Sequence, residues 1–324
     1  TDVILGLRYV FEVANKLSRP LVICLAIGSS LVGHEAFGAT STYIQYLSQR
    51  SHIAFSVSAG NEGNSKRHYY ESALSSTSKF ELRVSEEDPD FCFQIWPDLE
   101  ARLSIQITSP TGERTPVIFP TLSNCDYYNF IFGNEKTWVN NILIEEENGS
   151  QMILVRFNQA TKGIWTVNIE NVNKKPFTFN CWLPSGDMIS NETFFIASNP
   201  NTTIMDPGNT GPVLTVTAYD QFSNSVMMTP SRGYTRLGLV KPDVAAPGKL
   251  LPCAVPDEGY SALTGTGAAA AHAAGIIAMV LEWAVVSGNY TSITGKTINA
   301  LIFRSASRIP PYVYPDTMWG YGII

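Results

Sequence analysis

The sequence has few cysteines, few histidines and little charge, with 15% of residues charged and only four histidines in 324 residues. Five cysteines (Cys24, Cys92, Cys125, Cys181 and Cys253) are odd in number, lie far apart and form no C-x-x-C pair. That spacing argues against a disulfide framework or a zinc site and predicts mostly buried thiols. Lysine and arginine total 22 against 28 aspartates and glutamates, with no basic run. Nothing is present to neutralise a phosphate backbone, which argues against a nucleic-acid partner. The longest apolar stretch, Ala262 to Val286, is interrupted by Gly, Thr, His272 and Glu282. It reads as a core helix and not a membrane span. No pattern asks for a cofactor or a metal ion. Four N-x-S/T sequons, at Asn148, Asn191, Asn201 and Asn289, carry no weight in a chain this rich in asparagine.

What is present is a chain with 44% hydrophobic residues, enough for one large core or two smaller ones. The opening TDVILGLRYVFEVANKL places apolar side chains at helical spacing, with neither a basic n-region nor a cleavage site. A helix already in progress predicts that the chain begins inside a domain. PLVICLAIGSS follows, a continuous apolar run ending in Gly and Ser, as expected of a parallel strand covered on both faces. A second helix candidate, TSTYIQYLSQRS, leads to another such run, HIAFSVSAGNEG. Strand, helix, strand predicts a βαβ unit in a doubly wound α/β domain, whose ligand site lies beyond the carboxyl ends of the strands.

From about Phe80 the texture changes to short alternating runs: FELRVS, FCFQIW, RLSIQITS, TPVIFP, NILIEEE, MILVRFN, IWTVNIE and PFTFNCWLP. Close spacing and turn signals between them predict an antiparallel β sandwich, plausibly a jelly roll. The α/β texture then returns with GPVLTVTAYD, KPDVAAPG, an Ala-rich helix after Thr266 and KTINALIFRSAS. The expected layout is residues 1–80 as the first part of the α/β domain, 81–195 as an inserted sandwich and 196–324 as the second part.

Three segments carry the chemistry: VSAGNEG (57–63), KPDVAAPG (241–248) and TGTGAAAAHAAG (264–275). Singly, they also read as a strand-end turn, a Pro-bounded strand and a core helix with a Gly/Thr N-cap. Together and in this order they resemble the subtilase family of serine proteases, whose third segment reads G-T-S-x-A-A-P-H-x-A-G. On that resemblance Gly265, Thr266, Ala269, Ala270, His272, Ala274 and Gly275 match, and the nucleophile falls on Gly267. Ala268 and Ala271 are further departures. The resemblance also implies an oxyanion amide at Asn61, a substrate-pairing strand at Ala26, Ile27, Gly28 and Ser29, and a closing turn at Trp319 to Gly322.

A serine on the first turn of a helix gains from the positive N-terminal dipole, and an Asn amide completes the donors around a developing oxyanion. Acyl transfer still needs an attacking atom and a base, and glycine offers neither. The family's Asp and His precede the segment matching residues 1–30, so the resemblance implies that the N-terminal part of the fold is absent from this chain. His34, in VGHEAFG, follows the substrate-strand segment and is expected to be a surface or structural residue. His272 is expected to pack or hydrogen-bond inside its helix, and His52 and His68 have no motif around them.

The inserted sandwich narrows the resemblance to the Csp subtilases of clostridial spores, which govern germination by processing a pro-form of a cortex-degrading hydrolase. Some of that group are pseudoproteases. The resemblance implies a catalytically inactive regulator in the bacterial spore, acting through the sandwich and its junction to the α/β part. Its implied partners are another germination protease, the cortex-hydrolase precursor, the N-terminal fragment of its own precursor, or a small germinant. Two alternatives stay open: an active endopeptidase using Ser261 or Thr266, and a carbohydrate- or lipid-binding protein using aromatics such as Tyr127, Tyr128, Phe130 or Trp138.

Overall fold

The computed structural model describes residues 2–145, 149–256 and 258–324. Asn148 lies outside the described residues. The chain divides into two compact units, residues 1–29, 34–64 and 201–324 in one, and residues 30–33 and 65–200 in the other.

The first unit is α/β. Helix α1 (Asp2–Leu17) has an acidic residue in its first turn and Lys16 in its last, both favourable to the helix dipole. Strand β1 (Leu21–Leu25) follows, then helix α2 (Ala39–Ser48) and strand β2 (Ile53–Ser58). β1 and β2 pair in parallel from Leu21↔Ile53 to Leu25↔Val57. β2 pairs in parallel with Leu214–Asp220, which pairs in parallel with Val244–Pro247. Every residue of β2 is buried, as its unbroken apolar run requires.

Successive residues of β2 serve opposite faces. Ile53, Phe55 and Val57 pack with Leu7 of α1 and with Ile44 and Leu47 of α2. Ala54 packs with Leu214, Val216, Val244 and two further helices, α3 (Thr266–Leu281) and α4 (Gly295–Ser305). Ala269, Ala270 and Ala273 let α3 lie close to the sheet, and the Ser56 hydroxyl donates to the Ala270 carbonyl at 2.7 Å. With its continuation Glu282–Val286, α3 is long and apolar enough to cross a membrane by length and composition. Its small residues, together with Ile277 and Leu281, instead lie in the sheet's core.

The second unit is antiparallel β. One sheet has four strands in the order Phe194–Phe195, Thr77–Val84, Gly163–Asn171, Leu103–Thr108. The other has six, in the order His68–Ala73, Phe177–Trp182, Phe91–Pro97, Met152–Asn158, Lys136–Ile142, Asp126–Asn129. Alternate residues from both sheets enter one core, including Phe80, Phe93, Trp165, Phe179 and Phe195.

Details depart from the sequence reading. The unit starts at Ser65 and not near residue 81, because His68–Ala73 pairs with Phe177–Trp182. TPVIFP makes only isolated bridges at Ile118 and Arg114 just before it, since its two prolines lack the donors a ladder needs. The run expected at NILIEEE sits at the end of a strand that begins at Lys136. Of the thiols expected to be buried, Cys181 is buried, Cys92 and Cys253 are half-buried, and Cys24 and Cys125 are exposed.

Candidate functional site

The parallel strands β1 and β2 end at Leu25 and Ser58, and the residues just beyond their carboxyl ends meet the start of α3. Gly267 lies on the first turn of that helix. A Cβ built on Gly267 would have one neighbour, the Ala26 Cβ at 3.2 Å. Gly267 has no positive φ, so its backbone would accept an ordinary side chain. Backbone strain therefore does not account for the glycine, whereas a Cβ there would press on Ala26, which would have to give by a few tenths of an ångström.

Gly265 is a different case. Its φ of 136° makes it the left-handed entry to the helix, and its N–H donates to the Gly248 carbonyl at 2.8 Å. With no side chain of its own, it leaves the helix cap to a residue 205 positions away. Asn61 Oδ1 accepts from the Thr266 N–H and from the Thr266 hydroxyl, both at 3.2 Å. The Gly60 N–H donates to the same hydroxyl at 3.2 Å. Asn61 is exposed and its Nδ2 makes no hydrogen bond among the described residues, so one donor stays free beside the helix start. A carbonyl or carboxylate oxygen placed there would meet the free amide and the unpaired N–H groups of the first turn.

Ala26, Ile27 and Gly28 lie just past the end of β1 and are exposed, so they extend beyond the strand expected to hold them. A Cβ on Gly28 would lie 2.8 Å from the Met205 Cβ, which explains glycine there. Ser29 exchanges two backbone bonds with Asp206, at 2.9 and 3.0 Å. The structure thus brings Ala26, Asn61 and Gly267 together. Trp319 is fully buried against Tyr219 and Tyr312, and Gly320 bridges to Val244 and Asp316, so the closing turn packs on the sheet.

The competing nucleophiles are poorly placed. Thr266 is fully buried and its hydroxyl is held by the Asn61 and Gly60 contacts. Ser261 is exposed within the hairpin Leu251–Val255 and Gly259–Leu263, opposite Cys253. His34 is buried, with Nδ1 3.1 Å from the Ile204 carbonyl, the structural role expected of it. His272 is exposed, contrary to the packing role expected, because its face of α3 turns away from the alanines on the sheet. His68 is buried in the β unit, stacked on Trp182 with centroids 5.0 Å apart and bonded to Asn180.

Beneath the site, the KPDVAAPG segment supplies a buried ion pair that the sequence reading missed. Lys241 Nζ lies 2.6 Å from Asp243 Oδ2 and donates to the Val213 carbonyl at 2.8 Å, and the Thr215 N–H donates to the same carboxylate at 2.7 Å. Burial raises the Asp243 pKa, against the pull of Lys241 and the Thr215 N–H. Among the described residues no group of three or more His, Cys, Asp or Glu is placed to hold a metal ion.

A strand-end loop, a helix N-terminus behind it and a motif-bearing third strand define a subtilisin-like arrangement, and sequence comparison agrees. Residues 171–322 match the model of the subtilase family (Peptidase_S8). In three dimensions it is similar to the CspB protease of Clostridium perfringens, with a TM-score of 0.90 and 25% identity over 99% of this chain and 68% of that one. The prenylagaramide maturation protease PagA aligns over 38% of this chain and 43% of its own, with 21% identity and a TM-score of 0.33. No curated protein matches the chain in sequence.

Proposed function

We propose that this chain is a catalytically inactive subtilisin-like pseudoprotease that acts by binding in the control of spore germination. Gly267 carries the proposal: at the position where the family motif has its nucleophile there is no atom to attack with. The Asn61 amide and the α3 terminus make the remaining half of an acyl-transfer site, suited to holding a carbonyl group. The likeness to CspB supports placing the protein in the bacterial spore among the Csp proteins, and with their pseudoprotease members, of which CspC is one.

On this reading the β unit is a jelly-roll insertion in the subtilase fold and supplies the binding surface. The partners are an active germination protease, the cortex-hydrolase precursor or a small germinant. A fluorophosphonate probe and a peptide-cleavage assay on the purified chain test the proposal. Neither labelling nor turnover is expected, and labelling at Ser261 or Thr266 would overturn it in favour of an active endopeptidase. Gly267→Ser alone is expected to stay inactive without an aligned Asp and His, because triad members act as a unit.

A further inference from the structure

The outer face of the four-stranded sheet in the β unit is hollowed into a cavity of about 450 Å³, within the range of small-ligand sites. Its floor is two rows of cross-strand neighbours centred on Gly163–Asn171. In one row Lys79, Asn168 and Gln106 stand side by side, and in the next Thr77, Glu170 and Ser104 do. Val117 stands over the edge of the floor and supplies an apolar wall. Ser104 is only 1% exposed although it lines the hollow, so the floor is recessed and not a flat solvated face.

We propose that this cavity binds a short, neutral, polyhydroxylated ligand, a saccharide of two or three rings. The central strand is paired on both sides, so the floor has no free backbone ladder for a peptide. Recognition falls to side chains, and those available are hydroxyls and amides. Asn168 Oδ1 and Gln106 Oε1 accept no hydrogen bond among the described residues. The Asn168 amide makes only long contacts, 3.5 Å to the Gln106 carbonyl and 3.4 Å to the Thr108 hydroxyl. Acceptors and under-used donors a few ångströms apart match the alternating hydroxyls of a sugar ring. The two charges in the floor are already paired, Lys79 with Glu81 at 3.7 Å and Glu170 with Lys174, which favours an uncharged ligand.

The proposal does not depend on Gly267. Fluorophosphonate labelling would overturn the pseudoprotease reading and leave this one standing, and a failure to bind sugar would do the reverse. Calorimetric titration of the whole chain with cellotriose and tri-N-acetylchitotriose is the experiment. Saturable binding of at least one is expected, weakened about three- to tenfold by Asn168→Ala or Gln106→Ala, the loss typical of one hydrogen bond each. Both side chains are on the surface, and unchanged thermal melting of the variants would confirm that they fold. Four outcomes overturn the proposal: no saturable heat with either sugar, binding of free amino acids instead, sugar binding that both variants leave unchanged, or binding lost in Trp138→Ala and kept in Asn168→Ala. The last would move the site to the exposed Tyr127 and Trp138 pair on the six-stranded sheet, whose rings lie 5.3 Å apart.

Discussion

The two units bury polar groups in different ways. The α/β unit buries two ion pairs, Lys241 with Asp243 at 2.6 Å and Arg236 with Glu35 at 2.9 Å. The β unit buries a neutral amide network, and its charged Arg67 and Asp88 are held by carbonyls and hydroxyls. Gln151 Nε2 donates to Asn141 Oδ1 at 2.6 Å and to the Leu103 carbonyl at 2.7 Å, and Gln151 Oε1 accepts from the Leu103 N–H at 2.7 Å. An ion pair stripped of one partner leaves a charge in a medium that cannot solvate it, whereas a broken amide network leaves only neutral dipoles unsatisfied. The α/β unit should therefore be the more fragile to loss of a single polar atom.

Asp243→Asn tests this at its strongest point. Removing the charge opposite Lys241 is expected to cost about 3–5 kcal/mol, read as a shift in the urea midpoint. Hydrogen exchange should show the lost protection confined to the α/β unit. An equal loss in the amides of Gly163–Asn171 would show that the two units share one stability, and the comparison would fail.

Gln151→Leu is the counterpart in the β unit. It strands the Leu103 N–H and the Asn141 carbonyl oxygen, at about 1–3 kcal/mol for each buried group, discounted where the two relax together. The expected result is about 2–3 kcal/mol. A loss as large as that of Asp243→Asn would show that neutral networks are no safer here than ion pairs.

Acid separates the units by sign. Burial pushes the Asp88 carboxyl up, but the hydroxyls of Ser190 and Thr193 and the Ser190 N–H outweigh it and hold the pKa below the ordinary value. A depressed folded-state pKa gives stability that is present above the unfolded value of about 3.9 and is lost as pH falls through the folded value. Asp243, raised by burial, has the opposite slope: its contribution is full below about 3.9 and declines as pH rises through its folded value. Asp88→Asn is expected to cost about 1.5–3 kcal/mol at neutral pH, the scale of charged hydrogen bonds. The difference from wild type should shrink as the pH falls through the folded value, below the ordinary carboxylate range. A difference independent of pH would assign the loss to packing.

The same contrast governs what could be read from the sequence. Continuous apolar runs marked β1 and β2, and strict alternation marked Phe91–Pro97 and Met152–Asn158, because each pattern follows directly from which faces are buried. His68–Ala73 escaped notice because its inward residues include a histidine, satisfied through Asn180, Trp182 and Asn199 more than a hundred residues on. Asp126–Asn129 is a short edge strand with mostly exposed side chains, so it carries no periodic signal. At the candidate site the motif order was enough to pick out Gly267 and Asn61. The contact of Ala26 with Gly267, and the capping of Thr266 by Asn61, are products of the tertiary fold and leave no local trace.

The smallest expected effect concerns helix starts within the α/β unit. α2 and α3 begin after Gly38 and Gly265, neither of which offers a side-chain cap, and α3 borrows its cap from Asn61. α4 is self-sufficient. Thr294 sits in extended backbone at φ −114°, its Oγ1 accepts from the Thr297 N–H at 3.3 Å, and the two threonine hydroxyls are 3.1 Å apart. Thr294→Ala leaves the Thr297 N–H without its acceptor and should cost about 1 kcal/mol. Thr294→Ser or Thr294→Asp should restore it, because either side chain presents an oxygen to the same N–H. The backbone bond from the Ile298 N–H to the Thr294 carbonyl, at 3.0 Å, survives every one of these changes, so the helix itself should persist. An unchanged urea midpoint in Thr294→Ala would mean that water replaces the hydroxyl at no cost, and that among the described residues only the cap borrowed by α3 holds a helix start in this unit.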